Sequence, residues 1–486
     1  MKKKSIKLNA VLNGLRTILN LVFPLITFPY VSRVLSVNEV GKYNFSQSII
    51  SYFLLIAALG IDKYAVREGT KYRDDNKKIS KFSSEVFSVN ILSTIISYLL
   101  LFLYLFLSSK SLSYRACILI FSLQIVFTTL GTEWLYTIFE EYTYITIRSI
   151  VFKILSIILL FVFVRNEGDY LAYAGITVFA SVGSNILNFI NARKYCKIRL
   201  TFKFDCKKLL NPILVIFASN IAVQIYVNSD ITMLGYLGDD YAVGIYSVST
   251  KIYTIVKNVL GAVLMVTISR FALYVGKNLK LEYESLLKKV TNTLILLGVP
   301  VVVGLILLSE DAILIIASKK YIDAKISLII LSITILFSIF STLFNQCVLL
   351  PYKREKVFLK SSIISALLNI GLNFVLIPVI GEIGAAITTL LSEATMAGMN
   401  YRGCKDLVRN CIFDDSFVKN LTTVMIGSIG IIAACLLSMK LISGLYIQTM
   451  VAIVASVFVY FSIMLILRNE IVLENVNAIR SKFKRK

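Results

Sequence analysis

Residues Val40–Ile50 read VGKYNFSQSII, and Val243–Tyr253 read VGIYSVSTKIY. Five of eleven positions coincide at a constant offset of 203: Val40/Val243, Gly41/Gly244, Tyr43/Tyr246, Ser46/Ser249 and Ile49/Ile252. A phrase written twice at that distance raises the expectation of two related halves. The surrounding sequence decides what kind of halves they are.

The setting of both copies is apolar. Of the 486 residues 57% are hydrophobic and 16% charged, and the mean hydropathy is +0.78, far from a soluble globular composition. Runs such as VFSVNILSTIISYLLLFLYLFL (Val86–Leu107) and ITIRSIVFKILSIILLFVFV (Ile145–Val164) are long enough to cross a hydrocarbon core of roughly 30 Å, which takes about 20 residues. The pattern predicts an all-α polytopic membrane protein of about fourteen transmembrane helices, centred near residues 21, 52, 97, 127, 155, 181, 222, 256, 298, 337, 369, 392, 429 and 456. The basic start, MKKKSIK, leads into a segment holding Asn13, Arg16 and Asn20 with no small-residue cleavage site, so it reads as a retained first span.

The formal charge of +23 is placed asymmetrically. With a cytoplasmic N-terminus, cytoplasmic segments hold 39 of the 51 Lys and Arg and external loops hold 9, leaving Arg16, Lys251 and Lys257 inside spans. This is the positive-inside pattern. It puts both termini in the cytoplasm and argues for an even number of spans. It also disfavours nucleic acid as the partner of the basic clusters. There is no histidine, and the seven cysteines form no CxxC pair. Neither disulfides nor a metal site are expected, and no cofactor is.

The two copies of the phrase precede spans 2 and 8. Six spans apart, they enter the membrane with the same polarity, as in parallel-repeat transporters. The basic segment RKYCKIRLTFKFDCKK lies between spans 6 and 7, where a linker belongs. The expected organisation is two parallel-repeat six-helix lobes, residues 1–195 and 209–405, a cytoplasmic linker at 196–208, and two accessory spans with a basic tail at 406–486.

Polar residues inside a bilayer face other helices or water. Span 1 carries Asn9, Asn13, Arg16 and Asn20 on one face, followed by Pro24 and Pro29, which should bend or break the helix. Span 2 has Asn44, Ser48 and Ser51; span 7 has Asn220, Gln224, Asn228 and then Asp230; span 8 has Ser247, Lys251, Thr254 and Asn258, with Lys257 on a neighbouring edge. Any single amide can serve as helix-packing glue. Arg16 and Lys251 need an anionic partner, water or substrate, and are candidates for a cavity. Lys257 and Asp230 are either mutual partners or cavity groups. Glu393 in span 12 is, after Asp230, the second candidate for a titrating, ion-coupling carboxylate, the alternative being half of an ion pair with another span. Span 11 carries Ser362, Ser365, Asn369 and Asn373, read as helix packing, and Trp134 with Tyr136 reads as an interfacial anchor.

FPLITFPYVSRVLSVNEVGKYNFSQSIISYF, LGIDKYAVRE, GTEWLYTIFEEYTYITIRS, VGSNILNFINARKY and SNIAVQIYVNSDITMLGYL, in that order, resemble successive segments of the Wzx-type polysaccharide repeat-unit flippases of the MOP exporter superfamily. The resemblance covers at least residues 9–260. It implies two six-helix lobes around a central cavity in a bacterial inner membrane, and an undecaprenyl-diphosphate-linked oligosaccharide as substrate. O-antigen or capsule synthesis is the expected context, with a polysaccharide polymerase and chain-length machinery as expected partners. Under that reading Asn13, Arg16, Asn20, Asn44, Asn220, Gln224 and Lys251 would contact the head group, Arg being suited to phosphate, and no catalytic residues are expected. A peptidoglycan lipid-precursor flippase is the nearest rival in chemistry. A MATE-type cation or drug antiporter would favour an acidic cavity, against the cationic excess here. A membrane polysaccharide polymerase is the distant alternative, the external loops being short and their best carboxylates the turn pair Asp239 and Asp240.

Overall fold

The structure, a computed structural model, describes residues 6–201, 206–412 and 414–484. The described chain is helical without a strand. It groups into two compact units that divide in the sequence between Gly244 and Ile245.

In the first unit, α1 (Ile6–Val34) runs on through Pro24 and Pro29 as one helix, so the expected break does not occur. Thr27 Oγ1 donates to Phe23 O at 3.0 Å and Ser32 Oγ to Pro29 O at 3.3 Å, second donors to helical carbonyls next to the prolines; the carbonyls that lose a donor are those four residues before each proline. A capping box starts α2 (Val37–Ala58), with Ser36 accepting from Glu39 N and Glu39 from Ser36 N. Left-handed residues Leu59 (φ 46°) and Gly60 (φ 78°) end it and redirect the chain into α3 (Ile61–Gly69). Asp75 caps α4 (Asn76–Leu107). There follow α5 (Arg115–Gly131), α6 (Glu133–Ile138), α7 (Tyr142–Phe163), α8 (Tyr170–Val182), α9 (Asn185–Ala192) and α10 (Cys206–Leu237).

Thr132, at φ 41°, turns the chain between α5 and α6 and folds the short α6 into the bundle. Trp134 and Tyr136 are consequently 2% and 0% exposed, and the Tyr136 hydroxyl donates to Asn188 O at 2.6 Å. They are core residues, not the interfacial anchors expected. The core at this end joins Ile61, Tyr64, Phe82 and Trp134 to Leu209 and Ile213 of α10. The tenth helix thus packs along α2 and falls inside the first unit, beyond the linker at which the sequence suggested a lobe boundary.

The chain then enters α11 (Asp240–Gly276), which carries it into the second unit, followed by α12 (Lys280–Leu307), α13 (Ser309–Ile316) and α14 (Ala324–Leu343). Next comes α15 (Glu355–Ile412), 58 residues in two arms, kinked where Ile380 and Gly381 leave helical geometry. Last are α16 (Asp415–Leu441), α17 (Leu445–Ile466) and α18 (Glu470–Lys484). An amide network ties the end of the chain to its middle: Asn420 Nδ2 donates to Asn292 Oδ1 at 3.0 Å, and Asn469 Nδ2 to Asn420 Oδ1 at 2.8 Å.

Among the described residues, eleven helical stretches are long and apolar enough to cross a membrane. The longest of them is kinked, and α1 and α10, of 29 and 32 residues, are long helices besides. Phe106, Phe458 and Ile466 remain 74–85% exposed, as side chains that lipid rather than water solvates.

The repeated phrase does the same work twice. Ser36 and Asp239, 203 residues apart, each cap the next helix, accepting from Glu39 N (3.3 Å) and Ala242 N (2.8 Å). In the first unit Tyr43 OH donates to Thr177 Oγ1 at 3.0 Å; in the second, Tyr246 OH meets Thr389 Oγ1 at 3.1 Å. Thr177 and Thr389 in turn bond the carbonyls of Tyr173 and Ala385, both at 2.9 Å.

Candidate functional site

Within the first unit, α2 and α10 share a polar seam. Thr232 Oγ1 donates to Ser48 Oγ at 3.1 Å and lies 3.1 Å from Tyr52 OH. Further along, Lys63 Nζ donates to Asn220 Oδ1 at 3.2 Å. Asn220, Gln224 and Asn228 recur every fourth residue, which stacks them on one face of α10; all three are half-buried. Asp230 is 7% exposed. Asn44 bonds its own helix, donating to Val40 O at 2.8 Å. The side chains of Asn13, Arg16 and Asn20 lie outside the described residues.

The sequence reading passed over an ionic pair in this unit. Arg148, 7% exposed, donates to Glu133 Oε1 at 3.1 Å and to Ser184 O at 3.3 Å. Arg148 sits at the start of an apolar run and reads there as a flanking cytoplasmic charge. Its burial follows from the turn at Thr132 that brings Glu133 inward.

In the second unit Glu393 is 3% exposed and accepts from Lys257 Nζ at 3.4 Å and Ser338 Oγ at 3.1 Å. Lys257 also reaches Tyr253 OH at 3.3 Å and stands 5.4 Å from that ring's centroid. Glu393 and Lys257 thus form an ion pair within this unit. Lys251 is half-buried on the same helix. Asn369, Asn373 and Thr388 link the two arms of α15, with Asn373 Nδ2 donating to Asn369 Oδ1 at 3.1 Å and Thr388 Oγ1 to Asn373 Oδ1 at 2.5 Å; this is packing, as read from the spacing.

A cavity of about 490 Å³ opens among α11, α12, α13, α16 and α17, lined by apolar groups including Val256, Pro300, Gly304, Ile431 and Ile453, with Tyr460 at its wall. No local signal announced it, because five helices contribute and none carries a mark of it alone. Among the described residues no cluster of His, Cys, Asp and Glu is arranged to hold a metal. The side chains offer cationic and amide donors for an anionic, hydroxyl-rich group and an apolar cleft for hydrocarbon.

Comparison with known proteins agrees with this chemistry. The polysaccharide biosynthesis protein family matches residues 6–274, and the MatE family matches residues 216–375. A putative O-antigen transporter of Escherichia coli K12 is 25% identical over 387 residues, covering 78% of this chain and 92% of that protein. The capsular polysaccharide biosynthesis protein CapF of Staphylococcus aureus is 26% identical over 368 residues, covering 73% of this chain and 88% of CapF. In fold, the chain is similar to the lipid II flippase MurJ in an inward closed conformation, with a TM-score of 0.73 at 17% identity, over 95% of this chain and 99% of that one. The resemblance to repeat-unit flippases is thus borne out, and the chain is a multi-pass membrane protein that belongs to the polysaccharide biosynthesis protein family.

Proposed function

We propose that this protein moves undecaprenyl-diphosphate-linked oligosaccharide repeat units from the cytoplasmic to the outer leaflet of a bacterial inner membrane, by alternating access. The observation that carries the reading is the pairing, in one chain, of cationic and amide-bearing helices with an apolar cleft of about 490 Å³. That pairing suits an amphiphile with an anionic, polyhydroxylated head and a long hydrocarbon tail. Relatives named as O-antigen transporters, matched along most of their length, support it.

In this account Lys251, Asn220, Gln224 and Asn44, with Arg16, Asn13 and Asn20 of the first span, contact the diphosphate and first sugars. The tail lies against apolar surface such as the Pro300–Gly304 side of α12. The lobes 1–195 and 209–405 rock against each other, the spans beyond 405 being accessory. Asp230 and Glu393 are the carboxylates through which an ion is coupled. Glu393 already holds Lys257, so a phosphate that draws Lys257 away would leave a buried carboxylate in need of a proton or cation. Both termini are cytoplasmic, from the distribution of basic residues. No bond is made or broken, so the protein is a transporter and not an enzyme, working beside a polymerase and chain-length machinery.

The test is depletion of this protein in its native bacterium, followed by external glycosidase treatment. Protected, accumulating lipid-linked single units are the expected result. Units that are exposed but unpolymerised would overturn it and indicate a polymerase. Fold likeness to a lipid II flippase gives a second reading, under which the accumulating lipid would carry peptidoglycan precursor.

A further inference from the structure

The phrase that occurs twice in the sequence packs against itself in the structure. Gly41 on α2 faces the backbone carbonyl of Asp240, and a Cβ at Gly41 would lie 1.8 Å from that oxygen. Gly244 on α11 faces the carbonyl of Val37, and a Cβ at Gly244 would lie 2.3 Å from it. Residues 37 and 240 are separated by the same 203 positions as residues 41 and 244. Each glycine therefore rests on the first residue of the helix that carries the other copy. Such reciprocity is what an approximate two-fold axis imposes on a contact. All four residues lie in the first unit.

The contact is backbone on backbone, and no other residue type fits at either position without displacing a main chain. Its surroundings press the same way. A Cβ at Gly235 would lie 2.0 Å from the ring of Phe45. Tyr114 OH donates to Asp240 Oδ1 at 2.6 Å, holding the first turn of α11 in place. Ser36 and Asp239, the matched caps, fix where both helices begin. By the positive-inside reading these helix starts lie on the external side.

We propose that Gly41 and Gly244 form a matched latch, the outer gate of the transport path. Closed, it brings the outer ends of α2 and of α10–α11 to main-chain contact above the Ser48–Thr232–Tyr52 seam. Open, it lets a head group pass to the outer leaflet. The glycine contact itself gains few dispersion pairs, so the cost of parting it is set by its neighbours, the Phe45 ring over Gly235 and the Tyr114–Asp240 hydrogen bond. A side chain at either glycine wedges the latch open. The use of the gate rests on the flippase reading; its closure does not.

The experiment uses a cysteine-free full-length background with Ser51→Cys as reporter, ten residues or about 15 Å down α2 from Gly41. A membrane-impermeant maleimide is added from outside. Gly41→Leu and Gly244→Leu are each expected to raise the labelling rate about tenfold or more, with the double variant no faster than either single one. Gly371→Leu, where an added Cβ meets nothing within 4 Å, is expected to leave the rate unchanged. Spin labels at the exposed, offset-related positions Asn38 and Tyr241 should report a longer separation in the two latch variants. Folded latch variants with the parent's labelling rate and the parent's spin-label distance would overturn the proposal. If leucine prevents folding, Gly41→Ala and Gly244→Ala are read in the same way. Neither readout uses substrate. A latch that opens in these variants while the native protein moves no glycolipid would sink the flippase reading and spare the gate.

Discussion

The Lys257–Glu393 pair sets a quantitative test. With 3.4 Å between charges and an effective dielectric constant of about 20, the gross attraction is about 5 kcal/mol. Desolvation of the carboxylate, which is 3% exposed, takes back much of this, and the one-third exposure of the Lys257 side chain weakens it further. A net coupling of about 1–2 kcal/mol remains. Lys257→Met strands Glu393 with only the Ser338 hydroxyl and should cost about 3 kcal/mol. Glu393→Gln keeps the shape and that hydroxyl contact, and should cost about 1–2 kcal/mol. The double variant should be less destabilised than the sum by the coupling energy. The assay is denaturation in detergent of all four proteins, read by loss of helical signal and analysed as a double-mutant cycle. Additivity within about 0.5 kcal/mol would show that the pair contributes nothing and that the electrostatic account of this site is wrong.

Gly381 has φ +53° and ψ −130°, and an added Cβ there would meet nothing within 4 Å. Gly381→Ala should therefore cost about 1–3 kcal/mol through backbone strain alone, while Gly371→Ala, in helical geometry, should be neutral or stabilising by about 0.5–1 kcal/mol; equal thermal midpoints would contradict this. Asp414 accepts from Phe417 N at 2.9 Å and lies 2.5 Å from Lys288 Nζ. Burial pushes its carboxyl pKa up, but the Lys288 ammonium and the Phe417 N–H outweigh burial and hold it below the ordinary aspartate value. A depressed folded value means the stabilisation is present above the unfolded pKa and lost as pH falls through the folded one. Asp414→Ala should cost about 1–2 kcal/mol at neutral pH, shrinking as acid is added, and a gap that stays constant down to pH 3 would refute the capping role. Arg148→Met, which leaves Glu133 and Ser184 O without their donor, should cost about 2–4 kcal/mol, visible as a lower unfolding midpoint; an unchanged midpoint would show the pair to be neutral.

What the sequence revealed is what helices make periodic. Apolar runs located the helices, stripes every fourth residue marked the α10 face at Asn220 and Gln224, and the constant offset linked Tyr43 to Tyr246 before their matching threonine bonds could be seen. What it concealed depends on how spans meet. Lys257 had two carboxylates within the same set of helices, and only packing selects Glu393. Trp134 at a span end suggested lipid, and one left-handed residue, Thr132, sends it inward instead. Prolines 24 and 29 announce a break, yet the helix runs through both. The apolar cleft draws on five helices whose separate sequences carry no mark of it. Nothing in the basic linker shows that α10 packs with the helices before it.

The most direct test of the central claim is transport by the purified protein. It is reconstituted into vesicles carrying undecaprenyl-diphosphate oligosaccharide on the inner leaflet only, and the sugar exposed to an external glycosidase is followed over time. The account predicts protein-dependent exposure of the glycan, slowed when Lys251 is replaced by Met. Glycan that stays as protected as in protein-free vesicles, with folded protein inserted in both orientations and the coupling ion supplied in either direction, would contradict it.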